Sequence, residues 1–337
     1  MSSSPEPSPE LVTFAGIDEA GLGPMLGPLC LGYSVFRAPK TGADLWKTLK
    51  PAVSGKVGRE GKRFVVADSK VVFTRTPVSA KRLEKTALGF LSLLHPERLP
   101  PRNGQCLAWE SPRELAVDAS TIAQHPWYAP LETDLPRHQE RGGLEIAVER
   151  LSRTLTKERV ELLDAGVRVV PERHLNASFA RTDNKALSTW HELALIMKRV
   201  YAQHAHSGLR LTVDRQGGRM HYGPLLKEMF PCSNVRCAVE TAPLSAYVVL
   251  ERAGSRRMRV VFAERGEQFS FAVALGSCLA KYARETCMDA FNASFARHDP
   301  QLEPTAGYLT DAHRWLADAA PAMQSAGWTR ADLARSR

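Results

Sequence analysis

The amino-acid sequence predicts an α/β fold in which a mixed central β-sheet is flanked by helices. Apolar, β-prone segments come first in the chain and are then mixed with segments of helical periodicity. A tight, glycine-rich turn separates the first two apolar segments, which favours an antiparallel hairpin. Later amphipathic helices supply the layers that cover such a sheet.

The first ninety residues predict three strands and one helix. Leu11–Ile17 is expected to be a buried strand, and Leu29–Phe36 is its hairpin partner. Arg63–Ala67 is a third, shorter apolar run. Thr76 followed by Pro77 is typical of an N-cap and a first helical position, so a helix is expected to start there.

The rest of the chain predicts an irregular insertion followed by alternating helices and strands. Residues 95–142 are rich in Pro, His, Glu and Trp and show no sustained periodicity, which is typical of an insertion. A β-hairpin insertion is expected at about 240–265. Predicted helices span about 143–165, 190–201 and 270–295, and predicted strands span 167–171, 209–213, 235–239, 246–251 and 258–263.

Composition excludes several classes of protein. The 337 residues are 44% hydrophobic and 24% charged, which excludes a disordered chain, a collagen and a disulfide scaffold. Residues 1–10 read as a disordered tail that lacks the basic and apolar regions of a signal peptide. No apolar run approaches the ~20 residues of a membrane span. With no CxxC pair, the cysteines are expected to be reduced in a cytoplasmic protein.

The basic charge is concentrated in one segment. The formal net charge is +9, and residues 37–85 hold thirteen Lys or Arg against four Asp or Glu, so this segment carries the whole excess. Such a stretch indicates a polyanionic partner without naming it.

Carboxylates follow two of the predicted buried strands. Asp18 and Glu19 come at the end of the first strand, and Asp214 ends the strand 209–213. Solvated acids at a strand end are the alternative reading. Carboxylates that converge on one end of a sheet form an oxygen-rich site suited to Mg²⁺ or Mn²⁺. Two such ions activate a water molecule and stabilise the leaving oxygen of a phosphodiester.

Five motifs, in order, resemble those of the type 2 ribonuclease H (ribonuclease HII) family. Residues 16–24 read GIDEAGLGP, where the family has GIDEAGRGP. The other four are DSK at 68–70, LTVD at 211–214, GSCLAKYARE at 276–285 and GYLTDAH at 307–313. The sequence is identified as a divergent member, with no clear counterpart for 95–142 and about 215–265.

The resemblance implies an RNase H-like fold with insertions, in a catalytic domain at 11–313 and a helical extension at 314–337. It implies an endoribonuclease that cleaves the RNA strand of RNA–DNA hybrids, or ribonucleotides embedded in duplex DNA, leaving 3′-OH and 5′-phosphate ends. The catalytic and metal-binding residues would be Asp18, Glu19, Asp214 and Glu285, which would hold two Mg²⁺ or Mn²⁺ ions. The family has Asp at position 285, and Asp289, one turn further, is the alternative fourth carboxylate.

The resemblance also implies how the substrate is bound. The family's Gly-Arg-Gly is Gly-Leu-Gly here, and the loss of the guanidinium puts strict recognition of the RNA–DNA junction in doubt. Cations of segment 37–85 would contact phosphates. No protein partner is inferred. The implied substrate-binding residues are Gly21, Leu22, Gly23, Ser69, Lys70 and Tyr308.

Two other functions stay open at this point. A nuclease of the same fold acting on another substrate, such as structured DNA, is one alternative. A catalytically weak nucleic-acid-binding protein is the other, because of the departures at Leu22 and Glu285.

Overall fold

The computed structural model describes residues 10–40, 44–95, 115–116, 123–131 and 134–336. The expected tail therefore lies outside the described residues except for its last position, and so does much of the expected insertion at 95–142. Among the residues described, no helix is long and apolar enough to cross a bilayer.

Nine strands and eleven α-helices are assigned in the described parts of the chain. The strands are β1 Leu11–Ala20, β2 Leu29–Pro39, β3 Val53–Ser54, β4 Phe64–Val65, β5 Glu161–Val170, β6 Leu209–Asp214, β7 Ser233–Glu240, β8 Leu244–Glu251 and β9 Arg257–Ala263. The helices are α1 Leu45–Thr48, α2 Ser69–Val72, α3 Pro77–Leu91, α4 Arg141–Lys157, α5 Glu172–Thr182, α6 Lys185–His204, α7 Gly223–Met229, α8 Phe271–Ala296, α9 Leu309–Asp318, α10 Ala320–Ala326 and α11 Arg330–Leu333.

Seven strands form one mixed sheet in the order β5-β2-β1-β6-β9-β8-β7. The first hairpin is antiparallel and runs from Leu11 opposite Pro39 to Ala20 opposite Cys30. Both β6 and β9 lie parallel to β1, whereas β5, β7 and β8 pair antiparallel with their neighbours. The predicted α/β fold with a mixed, helix-flanked sheet is confirmed.

Two apolar clusters cover the faces of this sheet. The larger packs α8 against β1 and β2, together with α3, α4 and the C-terminal helices. The smaller packs α6 and α7 onto the opposite face. The burial of α8 follows from its sequence, because apolar and small residues occupy most of its circumference.

Glycines let α8 approach the sheet at backbone distance. A Cβ added to Gly32 would lie 2.1 Å from the carbonyl oxygen of Gly276, and one added to Gly16 would lie 2.1 Å from the backbone nitrogen of Val273. Neither neighbour is a flexible side-chain end, so the helix itself would have to move.

We therefore expect Gly32→Ala to lower the free energy of unfolding by about 2–3 kcal/mol, as overpacking against a rigid neighbour does. Urea denaturation followed by far-UV circular dichroism measures this. Gly142→Ala is the matched control, because an added Cβ there meets no atom within 4 Å. Equal effects of the two substitutions would contradict the close packing.

The prediction of one helix over 143–165 is wrong in its second half. The helix ends at Lys157, Arg159 adopts a left-handed backbone conformation with φ 55°, and β5 begins at Glu161. Pairing with β2 along almost the whole of β5 decides the outcome, because local helical spacing does not report a partner strand. Helices α5 and α7 were not predicted.

The segment at about 240–265 belongs to the central sheet. Strands β8 and β9 do form the predicted hairpin, but β9 also pairs in parallel with β6, from Leu209 opposite Met258 to Asp214 opposite Ala263. The hairpin therefore extends the sheet beyond β6. The domain boundaries themselves stay predictions.

Candidate active site

The parallel strands bring the predicted acids to one edge of the sheet. Ile17 on β1 is in register with Val213 on β6, so the residues that follow them, Asp18 and Asp214, lie side by side. Asp214 is in turn opposite Ala263, the last residue of β9. The carboxyl ends of three neighbouring strands therefore meet at one place.

Asp18 and Glu19 lie on the two sides of this edge. Asp18 is 9% exposed, and its Oδ1 accepts a hydrogen bond of 2.8 Å from the Glu19 backbone N–H. A hydrogen bond with the side chain of Ser277 on α8 acts to lower the pKa of Asp18. Burial and the charge of Asp214 raise the pKa of Asp18 to about 7. Burial, and then Asp18 and Asp214, raise the pKa of Glu19 as well, against the influence of Gln216.

Asp214 is held by the turn that follows β9. Its Oδ1 accepts a hydrogen bond of 2.9 Å from the Gly266 backbone N–H. Burial raises its pKa, and Lys70 opposes that shift. Burial also raises the pKa of Glu267 in the same turn, with further contributions from Asp214 and Asp68.

Sequence reasoning missed Asp68 and Glu267 as members of this acidic group. The signal that singled out Asp214, an acid just after a buried strand, is also present for Glu267, which follows β9 by four residues. For Asp68 the DSK resemblance drew attention to Ser69 and Lys70. Its carboxylate caps α2 by accepting a hydrogen bond of 2.9 Å from the Lys70 backbone N–H.

The donor chemistry of this edge fits a hard divalent cation. Carboxylates with raised pKa values are costly to keep charged at close quarters, and a bound cation removes that cost. No group of three or more His, Cys, Asp or Glu side chains is gathered to hold one ion within the ranges that the structure describes. Mg²⁺ commonly keeps several waters and takes only one or two carboxylates, so Asp18 and Asp214 are a sufficient donor set.

Glu285 and Asp289 lie further along α8, beyond the end of β1. Lys281 Nζ is 2.5 Å from Glu285 Oε1, and Arg137 Nη1 is 2.9 Å from Asp289 Oδ2. Burial, and to a smaller extent the charge of Glu285, raise the pKa of Asp289. Neither Glu285 nor Asp289 is among the main influences on the pKa of Asp18, Glu19 or Asp214. The role of Glu285 as fourth carboxylate stays a prediction.

The glycine-rich loop after β1 is held in place by buried arginine side chains. Gly21 has φ 86°, and a Cβ there would lie 2.4 Å from Arg284 Nε, so only glycine fits. Gly23 is open to solvent, and Leu22 packs on the smaller apolar cluster. The buried guanidinium of Arg335 donates hydrogen bonds to the carbonyl oxygens of Gly21 and Gly27.

Ser69 and Lys70 border the acidic edge. Ser277 Oγ donates a hydrogen bond of 2.9 Å to Ser69 Oγ, which links α2 to the helix beside Asp18. The charge of the exposed Lys70 opposes the rise that burial causes in the pKa of both Glu19 and Asp214. Both predicted residues are therefore next to the carboxylates.

Tyr308 lies in a separate cleft, of about 530 Å³, that also contains Glu285. Its ring is 47% exposed. The guanidinium carbons of Arg75 and Arg284 are 5.7 Å and 5.9 Å from the ring centroid. The structure thus groups the predicted residues into an acidic edge and a neighbouring aromatic cleft, with the loop of Gly21 adjoining Arg284.

No family model and no curated protein matches this chain. Among solved structures it is similar to ribonuclease HII of Archaeoglobus fulgidus in a complex with PCNA, at 13% identity and a TM-score of 0.41, covering 97% of this chain and 95% of that one. For ribonuclease H2 of Pyrococcus horikoshii OT3 the values are 14% and 0.41, with coverage of 96% and 92%. For a mutant of Bst-RNase HIII the identity is 13% and the TM-score 0.41, and the match covers 96% of this chain and 66% of that one. The chain is therefore similar, at low identity and over nearly all of its length, to solved ribonucleases HII and HIII.

Proposed function

We propose that this protein is a divalent-metal-dependent endoribonuclease of the type 2 ribonuclease H kind. Its substrate is the RNA strand of RNA–DNA hybrids, or single ribonucleotides within duplex DNA. The observation that carries the proposal is the convergence of Asp18, Glu19 and Asp214 at the carboxyl ends of two adjacent parallel strands. The five motifs that resemble this family support the choice of substrate.

The acids, the lysine and the glycines of this site have separate roles in the proposed reaction. Asp18, Glu19 and Asp214 would hold Mg²⁺ or Mn²⁺. A bound ion of this kind lowers the pKa of a coordinated water and offsets the charge of the reacting phosphate. Lys70, which faces these acids, binds the phosphate that approaches them. The backbone of Gly21 and Gly23 gives the ribose room to approach.

The alternative of a catalytically weak nucleic-acid-binding protein has one observation in its favour. Glu285 forms an ion pair with Lys281, and its charge contributes to the raised pKa of Asp289. If a fourth ligand is essential and Glu285 does not supply it, the protein binds nucleic acid without cutting it.

A cleavage assay with three substrates separates the proposals. The protein is incubated, with Mg²⁺ or Mn²⁺, with duplex DNA containing one ribonucleotide, with an RNA–DNA hybrid and with plain duplex DNA. Cutting beside ribonucleotides, and its loss in Asp214→Asn, supports the proposed function. Cutting of plain DNA alone contradicts it, and tight binding without cutting under either ion favours the binding protein.

A basic groove beside the acidic edge is expected to hold the phosphate backbone. It has a volume of about 760 Å³. In the described parts of the chain, the side chains of Lys50, Lys56 and Arg59 form no ion pair, whereas Arg82 in the same segment is paired with Glu60 at 2.8 Å. The residues that line the groove include Trp46, Lys50, Lys56, Arg59, Asp68 and Glu267.

We expect the double substitution Lys56→Ala and Arg59→Ala to weaken binding of plain duplex DNA roughly tenfold at low salt. It should also reduce the slope of log Kd against log salt by about two, because each phosphate contact releases about one counterion. Fluorescence anisotropy over a salt series measures both quantities. The control is Lys198→Ala with Lys227→Ala, on the opposite face of the sheet, and an equal loss in that control would contradict the assignment.

A further inference from the structure

We infer that Arg75 is a phosphate-binding residue of the aromatic cleft, paired with Tyr308 in gripping one nucleotide of the substrate. The inference rests on the proposed function for the identity of the ligand, a nucleic-acid strand. It goes beyond the motifs, because Arg75 belongs to none of them.

The backbone at Arg75 is built in an uncommon conformation. Arg75 has φ 59°, in the left-handed region, which is unfavourable for a residue that carries a side chain. Two hydrogen bonds fix the turn on either side, since the backbone N–H groups of Thr74 and Thr76 both donate to Ser79 Oγ, at 3.1 and 3.0 Å. Thr76 then caps α3. Arg75 is therefore held outward at a fixed place, although glycine would suit that place better.

Among the described residues that line the cleft, Arg75 is an arginine without a carboxylate partner, whereas Arg137 has one. Each acid in the lining already has a cation: Glu285 has Lys281 at 2.5 Å, Asp289 has Arg137 at 2.9 Å, and Asp311 has Arg314 at 2.7 Å. Arg75 is exposed, and within the residues described here its guanidinium makes neither an ion pair nor a hydrogen bond. The guanidinium carbon lies 5.7 Å from the centroid of the Tyr308 ring.

This arrangement suits a nucleotide. Tyr308 presents a half-exposed ring on which a sugar or base can stack, and Arg75 beside it presents a guanidinium that pairs with a phosphate. The buried Arg284 on the ring cannot take that role, because it donates hydrogen bonds to the carbonyl oxygens of Leu26 and Ala306. Arg75 thus brings to the cleft a guanidinium that Leu22 does not.

The test is a binding experiment in which single phosphates are neutralised. A short DNA duplex with one ribonucleotide is prepared as a series, each member carrying a neutral methylphosphonate at a different linkage. Affinity is measured by anisotropy with EDTA present, so that nothing is cut. We expect wild-type protein to bind several members of the series more weakly, one for each phosphate that the protein contacts. At one of these linkages the loss, roughly tenfold, should depend on Arg75 as a charge-assisted contact.

Arg75→Gly should bind the duplex that is neutral at that linkage and the unmodified duplex with equal affinity, while the losses at the other linkages stay as in wild type. Arg75→Lys should restore part of the difference at that linkage. Arg75→Gly should also be at least as stable as wild type in urea, because glycine adopts φ 59° without strain. Loss of binding through misfolding is thereby separated from loss of the contact.

The inference is overturned if Arg75→Gly keeps the wild-type pattern of linkage sensitivity. It is also overturned if the variant loses affinity equally across the whole series. Its failure is distinct from that of the proposed function, because a linkage pattern that depends on Arg75 can exist in a protein that never cleaves. Conversely, the wild-type protein can cleave beside ribonucleotides while Arg75→Gly keeps the wild-type pattern of linkage sensitivity. In that case the proposed function stands and only this inference fails.

Discussion

Asp18→Asn is expected to lower the rate of cleavage by on the order of 10³-fold or more, while leaving the fold intact. The carboxylate is nearly buried, lies beside Asp214 and is in contact with the helix that carries Ser277. Asparagine keeps its shape and can still accept the Glu19 backbone hydrogen bond. What it removes is the negative charge that would hold a cation.

The same substitution should raise stability in the absence of metal. Burial and Asp214 both disfavour the charged form of Asp18, which is why its pKa is raised, so the neutral amide is easier to bury. We expect a gain of about 1–2 kcal/mol in the free energy of unfolding, measured in urea with EDTA present. A loss of activity that comes with a gain in stability is the signature of a residue kept for function.

Glu145→Gln, on the exposed face of α4, is the control for both measurements, because its side chain is exposed and distant from the acidic edge. It should change neither rate nor stability by more than the error. Persistent cleavage by Asp18→Asn would remove Asp18 from the site. Destabilisation by Asp18→Asn would mean that its carboxylate has a structural partner.

Arg335→Ala is expected to lower the free energy of unfolding by about 3–5 kcal/mol. The guanidinium of Arg335 donates hydrogen bonds to the carbonyl oxygens of Gly21 and Gly27, and the Arg335 side chain is buried. The buried Glu172 accepts hydrogen bonds from the Gly27 backbone N–H at 3.0 Å and from Tyr128 Oη at 2.8 Å, and the charge of Arg335 favours its ionised form. Removing Arg335 takes a hydrogen-bond donor from two carbonyl oxygens and a nearby positive charge from one buried carboxylate.

The cost to Arg335 itself is visible in its pKa, which burial and the nearby Arg284 lower to about 10. Urea denaturation measures the predicted loss. Arg335→Lys should retain part of the stability, because it keeps the charge but not the forked donors. Arg330→Ala, exposed on α11, is the matched control, and a loss below about 1 kcal/mol for Arg335→Ala would show that the loop does not depend on this anchor.

The rate of cleavage should fall in Arg335→Ala as well, when it is measured without denaturant at a temperature where the variant is still folded. The loop of Gly21 and Gly23 directly follows the acidic pair, so its displacement alters how the ribose approaches. Comparison of kcat and KM separates the effects, because a misplaced loop raises KM whereas Asp18→Asn lowers kcat.

Local patterns in the sequence determined where the acids lie. Strand β1 is apolar up to its last residues, Asp18, Glu19 and Ala20, and β6 ends on Asp214. Each therefore places carboxylates at a strand end wherever the sheet puts that strand. The glycine turn likewise determined the first hairpin, since positions such as Gly21 require a backbone conformation that few other residues adopt. The fold class and the position of each acid at a strand end were predictable because they depend on neighbours in the chain. That the acids meet at one edge depends on the parallel pairing of β1 with β6.

Only the tertiary structure decided which distant residues complete the site. Arg335 holds a loop 314 positions away in the chain, and Glu172 holds the same loop across 145 positions. Glu267 joins the acids because β9 lies parallel to β6, and Arg75 meets Tyr308 because α3 and the C-terminal segment share a cleft. Periodicity and turn chemistry report interactions over a few residues, whereas burial, charge pairing and hydrogen bonds to a loop depend on which segments the packed core brings together.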